Sequence, residues 1–124
     1  MAYKITVKQE DITNNNKMIL FNGIVDNFNE FDYTEKNTNI KTNIYVDDEL
    51  FELIRYGDLR TMLHLEVGNS YAKVIDKNGQ IDLDIRLIKV VKLDNMYSYE
   101  YQIIQDGEIV QHFIFTLNYK TLFN

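Results

Sequence analysis

Short runs of alternating apolar and polar residues, separated by turn-forming residues, recur along the whole chain. The clearest run is 59–67, where Leu59, Leu63 and Leu65 alternate with arginine, methionine, histidine and glutamate. A period of two is the period of a β-strand, because successive side chains point to opposite faces of a sheet. The pattern therefore predicts an all-β protein.

About ten such segments follow one another with only short turns between them. They are predicted at 3–7, 17–26, 28–34, 40–46, 51–56, 59–67, 70–76, 81–91, 97–103 and 109–119. Consecutive hairpins indicate an antiparallel meander, and a meander of this length must close or stack to hide its edges. We predict one domain over residues 1–124, folded as an antiparallel up-and-down barrel of about eight to ten strands.

Three local features refine this prediction. Asn78-Gly79 lies between apolar segments and is typical of a type I′ hairpin turn. The alternation slips after Leu87, which a β-bulge would explain. Gly23 interrupts the second segment, which is typical of a bulge or a plain bend, and we favour the bend.

The composition narrows the possible partners. The net charge is −6, and the nearest approach to a basic cluster is Lys89 with Lys92, so nucleic acid and anionic membranes are not expected partners. A cationic or neutral partner stays open. No cysteine is present, which excludes disulfides and thiolate chemistry. The first residues lack a secretory pattern and no apolar run reaches the ~18 residues of a membrane span, so we expect a cytoplasmic protein.

The residue pattern does not predict a catalytic site, a metal site or a cofactor. His64 and His112 are the only histidines and fall on different strands, whereas zinc usually has three or four ligands. Asp82 and Asp84 form a carboxylate pair that fits a solvated strand face better than acid–base work. The turn acids of 47–49 lack the EF-hand pattern, and glycine occurs only singly, without a phosphate-binding loop.

Arg55 is the first candidate for ligand binding. It shares a strand face with Phe51 and Leu53, while Glu52 marks the other face as polar. An arginine that points into a barrel must be paired or must meet an anionic group of a ligand. We favour a structural role, in which Arg55 closes one end of the barrel, over ligand contact.

A tyrosine stripe is the second candidate. Tyr97, Tyr99 and Tyr101 alternate on one face of the ninth segment. If this face points inward, the three phenols line the barrel and could offer hydroxyl groups to a ligand. Their hydroxyls could also be satisfied by neighbours or by water, which we consider the simpler interpretation.

From about Ile44 onward the chain resembles a known family. The resemblance rests on FELIR (51–55), the following Tyr56-Gly57, LRTMLHLEVG (59–68), a hairpin at Gly79, and a tyrosine-rich strand that leads into 106–108. These features resemble the YwiB-like family of bacterial proteins, a domain of unknown function with a calycin-like β-barrel. The resemblance implies a calycin-like or lipocalin-like barrel and implies no activity.

Two hypotheses about function follow. The first is a non-enzymatic barrel that binds a small apolar molecule in its interior or at its mouth. The second is a packed barrel that acts as a protein–protein interaction module, and an enzyme ranks third. The sequence does not specify the ligand, the partner or the oligomeric state.

Overall fold

The computed structural model describes residues 2–35 and 38–122. These residues form ten β-strands and no helix, and every strand pair is antiparallel. The strands are β1 (Ala2–Asp11), β2 (Asn16–Val25), β3 (Glu30–Thr34), β4 (Lys41–Val46), β5 (Leu50–Tyr56), β6 (Arg60–Glu66), β7 (Tyr71–Asp76), β8 (Gly79–Leu93), β9 (Met96–Gln105) and β10 (Glu108–Leu122). The predicted all-β class and meander are confirmed. The described part of the chain contains no helix that could cross a membrane.

The ten strands form one sheet in the order β2-β1-β10-β9-β8-β7-β6-β5-β4-β3. Each strand pairs with its neighbours in sequence, except that β2 does not pair with β3. The last strand, β10, pairs with the first strand, β1. The meander is therefore cut between β2 and β3, which are the two edges of the sheet. No described residue of β2 forms a backbone pair with β3.

Aromatic side chains span this seam between β2 and β3. The ring of Phe21 stacks on Tyr33 at 5.0 Å and on Phe31 at 5.9 Å between centroids. A Cβ atom at Gly23 would lie 2.6 Å from Cζ of Phe21, so the glycine leaves room for the ring. The result is a nearly closed barrel whose last gap is filled by side chains rather than by backbone hydrogen bonds.

The interior is filled by the apolar faces of the alternating strands. Phe51 and Phe115 lie 4.6 Å apart between ring centroids, and Phe51 lies 5.1 Å from the ring of Tyr99. The other fully buried side chains are aliphatic or small: Ile5, Val7, Ile44, Val46, Leu65, Leu117 and Thr42. Burial of these faces is the main force that holds a sheet of this kind closed.

The structure confirms one predicted irregularity and corrects another. The pairing of β8 with β9 jumps from Leu87↔Tyr101 to Lys89↔Glu100, so a bulge lies at Ile88 as the slipped alternation predicted. The hairpin at Asn78 is present, but the type I′ assignment is wrong, because Asn78 does not have a positive φ. Its backbone N–H instead donates to Oδ1 of Asp76 at 2.7 Å, which shapes the turn from the side chain.

Antiparallel pairing gives the barrel two distinct ends. We call the mouth the end formed by the connections 26–29, 47–49, 67–70 and 94–95. We call the base the opposite end, formed by 12–15, 57–59, 77–78, 106–107 and Glu35 with residues 38–40. Both β5 and β9 begin at the mouth and run towards the base, and Met96 is the first residue of β9.

Candidate functional site

Tyr97, Tyr99 and Tyr101 share one face of β9, as the alternation predicted, and this face points inward. All three are buried, and their partners on the neighbouring strand β10 are, in the same order, Leu117, Phe115 and Phe113. Tyr97 is nearest the mouth and Tyr101 is farthest from it. The stripe therefore runs down the inner wall from the mouth.

Tyr99 differs from Tyr97 and Tyr101 because its hydroxyl group is buried without a hydrogen-bond partner among the described residues. The side chain is only 2% exposed, and its Oη atom is closed off from solvent. No other described residue offers this atom a hydrogen bond. Burial raises the pKa of Tyr99, and Tyr97, Asp47 and Asp48 raise it further, so the phenol is neutral and carries a proton to donate.

A cavity of about 330 Å³ opens beside Tyr99 at the mouth. Its apolar wall comes mainly from inward-facing residues of β6 and β8, and its polar rim comes from the 47–49 connection together with Glu66 and Lys92. The lining residues are Asp48, Glu49, Leu65, Glu66, Val67, Leu87, Val90, Lys92 and Tyr99. An apolar wall with a few polar groups is the usual character of a small-molecule pocket.

The acidic side of the rim is organised by a tight turn. Oδ1 of Asp47 accepts hydrogen bonds from the backbone N–H groups of Glu49 at 2.7 Å and Leu50 at 2.9 Å, and Tyr45 donates its hydroxyl to Oδ2. The two backbone hydrogen bonds hold the pKa of Asp47 below its ordinary value. This capped turn presents Asp48 and Glu49 to the cavity.

Lys92 supplies the cationic side of the rim. The bulge at Ile88 changes the phase of β8, so that Lys92 pairs with Tyr97 and shares the inward face with Val90. Its ammonium group forms no ion pair with any described residue, although it contributes to lowering the pKa of Asp47. Lys92 is therefore an exposed charge at the edge of the cavity.

Arg55 lies at the base, away from this cavity. Its Nε donates to Oε1 of Glu35 at 2.6 Å and its Nη2 donates to Oε2 at 3.0 Å. This two-point pairing holds the pKa of Glu35 below its ordinary value, and the buried Thr42 donates to the same carboxylate at 3.4 Å. The structure does not bring Arg55 together with Tyr97 and Tyr99, because the two groups lie towards opposite ends.

The two histidines lie on the outer face of the barrel. His64 is buried there, with Nδ1 at 3.0 Å from Glu52 and Nε2 at 3.1 Å from Glu66, and its ring stacks on Tyr71. Burial lowers its pKa, but the two carboxylates prevail and the net pKa is raised. The described residues contain no group of three or more side chains arranged to hold a metal ion.

Sequence reasoning identified Tyr99 but missed the residues around it. Asp48 and Glu49 were interpreted only as turn acids, and Lys92 only as part of a weak basic pair. The available signal was the phase slip after Leu87, because a bulge of one residue places Lys92 on the inward face. Glu52 was likewise missed as a partner of His64, since their contact depends on the β5–β6 register.

The fold and the cavity define a class of protein: a nearly closed, ten-stranded antiparallel barrel with a small opening lined by Tyr99 at one end. A solved structure with a similar fold is that of the YwiB protein from Bacillus subtilis, with a TM-score of 0.59. The two share 15% sequence identity, and the alignment covers 96% of this chain and 90% of YwiB. The likeness is one of fold, which confirms the YwiB-like architecture. No protein-family model matches the chain, and no curated protein matches it.

Proposed function

We propose that this protein is a non-enzymatic, calycin-like binding barrel that holds a small, mostly apolar molecule at its mouth in the cytoplasm. The observation that carries the proposal is the hydroxyl group of Tyr99, which is buried beside the cavity without a hydrogen-bond partner among the described residues. A bound ligand would supply that partner.

The energetic argument concerns this hydroxyl group. A buried polar group without a hydrogen bond costs about 1–3 kcal/mol, so native proteins contain few of them. Phenylalanine would fill the same space without this cost. A tyrosine is favoured over phenylalanine at this position if its hydroxyl group forms a hydrogen bond in another state of the protein. The adjacent cavity suggests that this other state is the ligand-bound one.

The size and walls of the cavity support a small apolar ligand. A volume of about 330 Å³ falls at the lower end of the ~300–1,000 Å³ that ligand pockets occupy. Leu65, Leu87 and Val90 provide an aliphatic wall. Tyr97 pairs with Lys92 and lies nearer the mouth than Tyr99 on the inward face of β9. We assign ligand contact to Tyr99 and Tyr97, a supporting position to Tyr101, and closure of the base to Arg55.

The disposition of the titratable groups favours binding over catalysis. His64 and His112 lie on the outer face, where each is hydrogen-bonded to glutamate. A general acid or base must reach the substrate, and neither imidazole lines the mouth cavity. Asp48 and Glu49 lie at the exposed rim, where water is not excluded.

Native mass spectrometry of the purified protein, followed by denaturing analysis, tests the proposal. We expect an additional mass that leaves on denaturation and that is lost or reduced in Tyr99→Phe. Arg55→Ala is the matched control, because Arg55 lies at the other end and its loss should leave the additional mass in place. A bare mass in every preparation, with no thermal shift from a panel of apolar metabolites, would refute ligand binding.

The alternative function is a protein–protein interaction module, and one observation favours it. The second half of β8, Ile85–Leu93, pairs with β9 on one side, and no described strand pairs with its other side. A groove between this edge and the 67–70 connection could accept an extended segment of a partner as an added strand. Protection of the 85–93 amides from hydrogen exchange by a protein partner, combined with a bare mass, would support this alternative.

A further inference from the structure

We propose that the mouth cavity selects an uncharged ligand that carries a hydrogen-bond acceptor, such as a carbonyl, amide or hydroxyl oxygen on an apolar body, and rejects the corresponding carboxylate. The inference rests on the proposed function, since it specifies the ligand class for the same cavity. It follows from one buried donor and from the charges placed around it.

The donor is the hydroxyl group of Tyr99. Its proton has no acceptor among the described residues, and its location among Phe51, Phe115 and the aliphatic wall keeps the phenol neutral. A neutral phenol donates one hydrogen bond to the ligand. The ligand therefore needs an acceptor at the end that enters the cavity, and side chains that line the cavity must shift to admit it, because Oη is closed off from solvent.

The charges around the donor oppose an anion. Asp48 and Glu49 line the cavity and form no ion pair with any described residue, whereas Lys92 is the single cation on the lining. Glu66 also lines the cavity, and its carboxylate is hydrogen-bonded to His64 at 3.1 Å. The free charges of the lining thus sum to a net negative value.

The same negative potential acts at the hydroxyl group itself. Asp47 and Asp48 both act to raise the pKa of Tyr99, which means that they disfavour negative charge at Oη. A ligand carboxylate placed against Oη would meet the same repulsion in the same poorly solvated surroundings. An amide or ketone oxygen would accept the hydrogen bond without that penalty.

The remainder of the ligand is apolar and short. Leu65, Leu87 and Val90 offer no hydrogen bonds from their side chains. A cavity of about 330 Å³ holds on the order of ten non-hydrogen atoms, judged from the ~30 Å³ that one water occupies in the liquid. Octanamide and octanoate are suitable probes because they have the same length and differ in charge at one end.

The experiment is titration calorimetry of the full chain with octanamide and with octanoate at pH 7.5. We expect octanamide to bind at least about tenfold more tightly than octanoate. Asp48→Asn should reduce that ratio several-fold by improving the affinity for octanoate, because it removes one repelling charge. Asp84→Asn, on the outer face of β8, is the charge-matched control and should leave the ratio unchanged.

Tyr99→Phe provides the second measurement. It should weaken octanamide about tenfold or more while changing octanoate little, because only the neutral probe is expected to use the hydroxyl group. Equal binding of the two probes, or tighter binding of octanoate, would overturn the inference and leave the binding function standing. Binding of neither probe, combined with a bare mass in native spectra, would overturn the proposed function and this inference with it.

Discussion

The base and the mouth of the barrel differ in whether a key polar side chain has hydrogen-bond partners within the protein. At the base, the guanidinium group of Arg55 meets both carboxylate oxygens of Glu35, and Thr42 adds a third hydrogen bond to the same carboxylate. At the mouth, the hydroxyl group of Tyr99 is buried with no partner among the described residues. The charged pair at the base satisfies its hydrogen bonds within the chain, whereas the mouth keeps a buried donor without a partner among the described residues.

The difference between the mouth and the base has a structural origin in the two ends of the strands. β5 carries Phe51 near the mouth and Arg55 at the base on one inward face, so the same strand contributes to both ends. The Arg55 side chain pairs with the carboxylate of Glu35, which lies in the β3–β4 connection. At the mouth, Phe28 of the 26–29 connection stacks on Tyr119 at 4.1 Å between ring centroids. The bulge in β8 leaves Lys92 exposed at the edge of the cavity.

The largest expected effect comes from Phe51→Ala. Phe51 is fully buried against Tyr99 and Phe115, and truncation of a buried phenylalanine costs about 3–5 kcal/mol. We expect this loss of stability in urea unfolding, together with loss of the proposed ligand binding because Tyr99 loses its support. Val67→Ala, at a position that is 82% exposed, is the control and should change stability by less than about 0.5 kcal/mol. A loss under about 1.5 kcal/mol for Phe51→Ala would show that the interior is loosely packed.

The second prediction tests whether the base is locked. Glu35→Ala removes the acceptor of Arg55 and of Thr42, and we expect a loss of about 1 kcal/mol, since the Arg55 side chain is 40% exposed and solvent weakens the ion pair. Glu30→Ala, on the exposed face of β3, is the matched control and should have almost no effect in chemical denaturation. Equal losses for the two variants would mean that the contact between Arg55 and Glu35 does not stabilise the base.

Much of the fold could be predicted from the alternation of side chains. The segment 59–67 has a clean period of two, and the structure places β6 at Arg60–Glu66. The slip after Leu87 also predicted a bulge correctly, because a single extra residue inverts the faces. The type of turn at Asn78 could not be read from the dipeptide alone, because the strands pair as Asp76↔Gly79 and the two loop residues are Lys77 and Asn78.

The candidate site was only partly predictable, because cross-strand neighbours are set by register and closure. The position of Tyr99 follows from its own strand, but its proximity to Asp48, Leu65 and Lys92 depends on the β4–β5 connection and on β6 and β8. The partner of Arg55 was also beyond the sequence pattern. Glu35 lies in the connection after β3, twenty positions away, and periodicity says nothing about where a connection returns.

The third prediction concerns Tyr99 in the absence of ligand. Tyr99→Phe removes a buried hydroxyl group that lacks a partner, so we expect stability to stay equal or rise by up to about 1 kcal/mol. Tyr119→Phe is the same substitution with the opposite expectation, because the Tyr119 hydroxyl donates to the backbone oxygen of Asp94 at 2.6 Å. It should lose about 0.5–1.5 kcal/mol. Thermal melts of the ligand-free proteins distinguish the two cases. A clear destabilisation by Tyr99→Phe would indicate that the hydroxyl group is satisfied in the free protein.

The smallest effect is the pH dependence of the base. Arg55 lowers the pKa of Glu35 below its ordinary value of 4.5, so the folded state favours the ionised form. The corresponding stability is present above about pH 4.5 and is lost as the pH falls through the lowered folded-state pKa. The difference in stability between the wild type and Glu35→Gln should therefore be constant above about pH 5 and shrink towards pH 3, with a magnitude under about 1 kcal/mol.

Salt sharpens this last comparison between the two ends. The pKa of Asp47 at the mouth is also lowered, but mainly by backbone N–H groups rather than by a charged partner. An ion pair with an exposed member is screened by salt, whereas a local hydrogen bond to the backbone is affected less. Adding about 0.5 M NaCl should therefore reduce the Glu35→Gln difference more than the corresponding Asp47→Asn difference. Equal reductions would mean that the carboxylate at the base is held by its backbone surroundings, and that Arg55 is free to act elsewhere.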